Sequence, residues 1–66
     1  MRVEINGETH EFTTGTTLLA ALETAATTRP GVAVAVNGEV VRRADWPDHV
    51  LDDGASVEVL AAVQGG

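Results

Sequence analysis

Val32-Ala33-Val34-Ala35-Val36 is the stretch that most narrows what this chain can become. Side chains on a strand alternate between two faces, so this run puts valine on one face and alanine on the other. A strand with one face in water reads as apolar and polar in turn, whereas a run apolar on both faces reads as an internal strand. It needs a neighbour on each side, and the rest of a short chain must supply both. Asn37-Gly38 follows directly, and Asn-Gly suits the two-residue hairpin turn whose central positions take positive φ. Glu39-Val40-Val41 then returns beside the run.

The ends of the chain supply the other strands. Arg2-Val3-Glu4-Ile5-Asn6 alternates polar and apolar, the pattern of a half-buried strand. Asn6-Gly7 repeats the turn signal, and Thr9 to Thr13 returns with Phe12 on one face and His10 expected on solvent. Asp52-Asp53-Gly54 is a third turn, and Ser56 to Ala62 reads as the last strand. Arg42 to Leu51 is expected to be irregular, with Trp46-Pro47 breaking any regular element.

One stretch breaks the strand pattern. LLAALETAA is rich in helix formers, and Leu18, Leu22, Ala25 and Ala26 share a helical face. The spacing predicts a helix over about 17–27, preceded by candidate caps in Thr13 to Thr17 and ended by Pro30-Gly31. The order is therefore β-β-α-β-β-β, an α+β architecture with a mixed sheet of four or five strands on one main helix. Val3, Ile5, Phe12, Val34, Val36, Val57 and Val59 are expected to face that helix with Leu18 and Leu22. Sixty-six residues make one domain at most, with 63–66 expected as a flexible tail.

Composition excludes several kinds of chemistry. The chain has no cysteine, which removes disulfides, thiolate metal sites and a thiol nucleophile. A formal net charge of −6 disfavours nucleic acid as a partner. No apolar run is long enough to span a membrane, and MRVEING does not read as a signal peptide, so a cytoplasmic protein is expected. His10 and His49 have carboxylates nearby in sequence, but no Ser or Thr stands in a nucleophile setting, and one helix on one sheet offers little cleft. Asp45, Asp48, Asp52 and Asp53 with His49 match neither a calcium loop nor a zinc pair and read as a solvated loop. The internal glycines are scattered turn residues without a phosphate-cradling pattern. Trp46 reads as a lid on one end of the core with its N–H on a backbone carbonyl, or else as an interface anchor. Arg42-Arg43 reads as a solvated pair. Neither a bound cofactor nor a metal is expected.

The tail AAVQGG remains. At average glycine usage a terminal Gly-Gly arises by chance in about 0.5% of chains. A frayed end is the bland explanation. The chemical one is that two glycines, lacking Cβ, can thread a narrow channel and deliver the Gly66 carboxylate to another protein's active site. If Val57, Val59 and Ala61 face the helix, then Glu58, Leu60 and Ala62 face away beside Ala33 and Ala35. Such an apolar patch is the expected docking face, with acidic residues at its rim.

The element order with a terminal Gly-Gly resembles the ubiquitin-like β-grasp fold, and more narrowly the small sulfur carriers of thiamine biosynthesis. The resemblance covers the whole chain. It is carried most by VAVAVNGEVVRRADW, by the turn at Asp53-Gly54, by VEVL and by Gly65-Gly66. The family often has proline where Arg42 stands and an acidic residue where Ala55 stands. The resemblance implies that an E1-like activating enzyme, using ATP and Mg, adenylates the Gly66 carboxylate. A persulfide sulfur donor then displaces AMP, and the Gly66 thiocarboxylate gives its sulfur to thiazole synthase. The carrier is thus a co-substrate of its partners and not an enzyme. Carriers of the same fold serving molybdopterin or cysteine synthesis, and ubiquitin-like modifiers, are the alternatives.

Overall fold

A computed structural model describes residues 1–25 and 31–61, with Ala61 described by its backbone alone. The elements are β1 (Arg2–Ile5), β2 (Glu8–Glu11), α1 (Leu18–Ala25), β3 (Val32–Val36), β4 (Glu39–Val41), a 3-10 helix (Arg43–Asp48) and β5 (Ser56–Ala61). They form one mixed sheet in the order β2-β1-β5-β3-β4. β1 and β5 run parallel, and the other three pairings are antiparallel. β3 is internal, as its two-faced apolar pattern requires, with β5 on one side and β4 on the other.

Both Asn-Gly pairs make the turns their residue types favour. Asn6 and Gly7 take φ of 49° and 84°, and Asn37 and Gly38 take 50° and 86°. Positive φ at both central positions matches the right-handed twist of the flanking strands. The turn brings Ile5 opposite Glu8, so β2 begins at Glu8 and not at Thr9. It ends at Glu11 because Arg2, its partner, is the first residue of β1, although the Phe12 N–H still donates to the Met1 carbonyl at 2.9 Å.

α1 starts at Leu18, one residue later than the spacing suggests. Thr17 is tied up otherwise: it bridges to Val50, and its hydroxyl accepts the Ala20 N–H at 3.2 Å in the manner of an N-cap. The predicted end at Ala26-Thr27 lies outside the described residues. Leu18, Ala21 and Leu22 are fully buried against Val3, Ile5, Val34, Val36 and Val57.

Several expectations need correction. Phe12 and Val59 pack against the core on the helix side as expected, but at its margin and only half-buried. His10 does not point away from Phe12. Residues two apart on a strand share a face, and the two rings stack with centroids 6.2 Å apart, leaving His10 half-buried. The segment after β4 is not irregular either. Arg43–Asp48 forms a 3-10 helix that holds Pro47, since a proline costs little in a short turn where few N–H groups have intrahelical partners. This helix drives Trp46 into the core, 1% exposed, where its indole N–H donates to the Val41 carbonyl at 3.0 Å. Leu51 and Ala55 complete that end of the core. Arg43 lies over the Trp46 ring at 4.4 Å, and Arg42 meets Asp45 at 3.4 Å, so the two arginines have separate tasks.

Among the described residues no helix is long and apolar enough to cross a membrane. The core is small, and its largest side chains are Trp46, Leu18 and Leu22. Replacing Leu22 with alanine should cost about 2–5 kcal/mol, lost transfer energy plus the cavity left behind. A domain of this length has roughly that much stability in total. Urea unfolding of L22A should therefore show a sharply lowered midpoint or no folded baseline at all.

Candidate functional site

β5 presents two different faces, and the sheet register decides what surrounds each. Ala55 and Val57 turn toward α1 and are buried, with Val59 half-buried beyond them. Ser56, Glu58 and Leu60 turn the other way and are exposed. β3 lies alongside with Ala33 opposite Leu60 and Ala35 opposite Glu58. On its far side, Ala35 stands opposite Val40 of β4. Leu60, Ala33, Ala35 and Val40 thus make an apolar stretch across three strands, on the face of the sheet away from the helix.

Leu60 is 66% exposed and Val40 is 77% exposed. Single exposed apolar residues are ordinary; here they form a contiguous set on one sheet face. The alanines shape it. Their short side chains leave a shallow shelf between the leucine and the valine, where a partner can approach the sheet closely.

Charge on this face is mainly acidic. Glu58 sits within the stretch opposite Ala35, and Glu4, exposed on the same face, is registered with Ser56 on β5. Arg2 shares the face but is drawn to the edge, 3.5 Å from Glu11 on β2.

The structure brings Leu60, Ala33, Ala35 and Glu58 together, and sequence reasoning named all four. It missed Val40. The signal for it is present in the chain, because a two-residue turn at Asn37-Gly38 sets Ala35 opposite Val40 and so places both on one face. Ala62, Gly65 and Gly66, the other predicted site residues, lie outside the described residues. Val59 and Leu60 are the last residues before them whose side chains are described.

Among the described residues, the titratable groups elsewhere assemble no reaction centre. His10 Nε2 is 3.8 Å from Glu8 and stacks on Phe12 at the edge of the core. His49 is half-buried, and its backbone carbonyl accepts the Leu18 N–H at 2.7 Å. It lines an open depression of about 490 Å³ with Glu39, Asp45, Asp48 and Asp52, at the Asn37 end of the sheet. Asp53 is structural, its carboxylate accepting the Arg2 backbone N–H at 2.7 Å. No group of three or more His, Cys, Asp or Glu among the described residues is arranged to hold a metal ion.

Comparison with known proteins gives one consistent result. The ThiS family matches residues 3–66. The sulfur carrier protein ThiS of Thermus thermophilus is 42% identical over 64 residues, 97% of this chain and 98% of that protein. The sulfur carrier protein ThiS of Escherichia coli is 27% identical over 66 residues, all of both chains. Among solved structures, the crystal structure of the thiamine biosynthesis protein ThiS from Geobacter metallireducens superposes with a TM-score of 0.84 at 26% identity, covering both chains in full. A solution structure of a thiamine biosynthesis protein from the same organism gives 0.75 at 28% identity, covering this whole chain and 88% of that one. A β-grasp sheet on a single helix, an outward apolar shelf on its central strands and a family match running to Gly66 agree: the chain belongs to the ThiS family.

Proposed function

We propose that the reacting group of this protein is its own Gly66 carboxylate, delivered to partner enzymes by the shelf on β5, β3 and β4. As a member of the ThiS family matched end to end with two sulfur carriers, the chain is a sulfur carrier of thiamine biosynthesis. What the family leaves to be explained is how a chain with so little chemistry of its own carries sulfur.

A carboxylate is a poor electrophile. Its negative charge repels nucleophiles, and its leaving group is oxide. Adenylation answers both problems: a Gly66 oxygen attacks the α-phosphorus of ATP, pyrophosphate leaves, and the terminal carbonyl becomes a mixed anhydride. A persulfide then attacks the carbonyl carbon, and AMP departs with the former carboxylate oxygen. A second thiol cleaves the S–S bond the persulfide brought with it, leaving the thiocarboxylate on Gly66 and a disulfide on the partner. The thiocarboxylate is a nucleophilic sulfur, ready for an electrophilic carbon of the forming thiazole in thiazole synthase.

The chain's own part is recognition and delivery. ATP and Mg belong to the activating enzyme, and the protein acts as a co-substrate in the cytoplasm. The single observation that carries this reading is the coincidence, on one strand, of an exposed apolar shelf and the root of a Gly-Gly terminus. The lack of cysteine supports it, since no internal thiol competes for the activated end.

Two outcomes test the proposal. Incubated with its adenylating enzyme, ATP and a persulfide source, the intact protein should gain the mass difference between sulfur and oxygen. A chain lacking Gly66 should gain nothing. An unchanged mass in the presence of a validated activating enzyme would sink the assignment. Leu60→Asp, at an exposed position, should alter stability by less than about 1 kcal/mol. It should nevertheless raise the KM for the carrier in ATP–pyrophosphate exchange by about tenfold or more, as loss of an anchor residue does. Wild-type kinetics for L60D would remove the shelf from the account.

A further inference from the structure

The Asn6-Gly7 turn does more than reverse the chain. β1 pairs with β5 only as far as Ile5 and Val57, and the last backbone bond on that flank runs from the Asn6 N–H to the Val57 carbonyl at 2.9 Å. There β1 leaves the sheet. The N–H and carbonyl of Val59, which point to the same flank, would have no strand beside them. The Asn6 side chain takes the strand's place. Its Oδ1 accepts the Val59 N–H at 2.8 Å, and its Nδ2 donates to the Val59 carbonyl at 3.2 Å. A carboxamide has the donor and acceptor of a peptide group, so it extends the ladder by one residue.

The turn alone does not ask for this. Glycine meets positive φ at no steric cost, so a Gly-Gly turn would close the hairpin equally well. The other turn offers an internal comparison. Asn37 clamps β5 too, with its Oδ1 accepting the Ser56 N–H at 2.9 Å and its own N–H donating to the Ser56 carbonyl at 2.8 Å. Asn37 holds the start of β5, whereas Asn6 holds the strand one residue before Leu60. Beyond Val59, among the described residues, the strand is paired on its other flank alone, Leu60 with Ala33 and Ala61 with Val32.

We infer that Asn6 is a positioning residue for the outgoing end of β5, its carboxamide locking Val59 so that Leu60 reaches a partner already held in place. This rests on the carrier reading given above. Without the lock, β5 frays from Val59. The docking-competent arrangement becomes a fraction of the population, and the apparent affinity falls by that fraction. The chemical step, which belongs to the partner, is untouched once the complex forms.

The comparison of Asn6→Gly with Asn37→Gly tests this in the full-length chain with its adenylating enzyme. Both variants keep the turn and each loses one clamp on β5, so unfolding measurements should show similar modest losses of stability. In ATP–pyrophosphate exchange, Asn6→Gly should raise the KM for the carrier about fivefold with kcat within about twofold of wild type. Asn37→Gly should leave both within about twofold. Amide exchange should accelerate at Val59 in the first variant and at Ser56 in the second. Equal KM values for the two variants, or a wild-type KM for Asn6→Gly, overturn the positioning role. Failure of the wild-type chain to be activated overturns the carrier reading itself, and the inference with it.

Discussion

Everything in this fold is arranged around β5. It lies at the centre of the sheet, parallel to β1 on one side and antiparallel to β3 on the other, and it is the last strand among the described residues. The backbone bonds of its neighbours fix it at Ala55 and Val57 on the β1 flank. Asparagine side chains fix it at Ser56 and Val59. Alternation then does the rest. Once Val57 is held under the helix, Leu60 has no choice of face. A terminal strand in the middle of a sheet is costly to form early in folding, since its contacts with β1 span most of the chain. What it gives in return is a strand held by neighbours on both flanks up to Val59.

A division of labour follows. The inner face of the sheet, with Leu18, Leu22 and Trp46, holds the domain together. The outer face carries no catalytic group among its described residues and presents a shallow apolar shelf with Glu58 in it. Such a surface binds and does not react. The acidic depression beside β4 lies at the other end of the sheet from Ala61. On the proposed reading, sulfur chemistry on this protein draws its catalysis from partners, and the carrier contributes recognition, reach and one carbonyl carbon.

Much of this was legible in the chain because the decisive signals are local. Val32 to Val36 reads as an internal strand from five residues, and each Asn-Gly reads as a turn from two. Trp46 over one end of the core, with its N–H on a backbone carbonyl, follows from its size and its polar handle. What escaped was the part that depends on distant partners. The 3-10 helix around Pro47 exists because Trp46 is drawn into a core built by other segments. His10 escaped through a mistaken face assignment that the two-residue period itself corrects. Asn6 and Asn37 read as turn residues, and nothing near them in sequence shows that their side chains reach β5, 53 and 19 residues away. Gly65 and Gly66 lie outside the described residues, and their proposed role comes from asking what an uncapped terminus can do.

The central claim is that a Gly66 carboxylate oxygen attacks ATP. It is tested most directly by labelling that carboxylate with a heavy oxygen isotope and following the label through one round of thiocarboxylate formation. Adenylation at the terminus predicts that one labelled oxygen leaves in AMP for each sulfur gained. AMP released without label, while sulfur appears on the protein, would contradict the account.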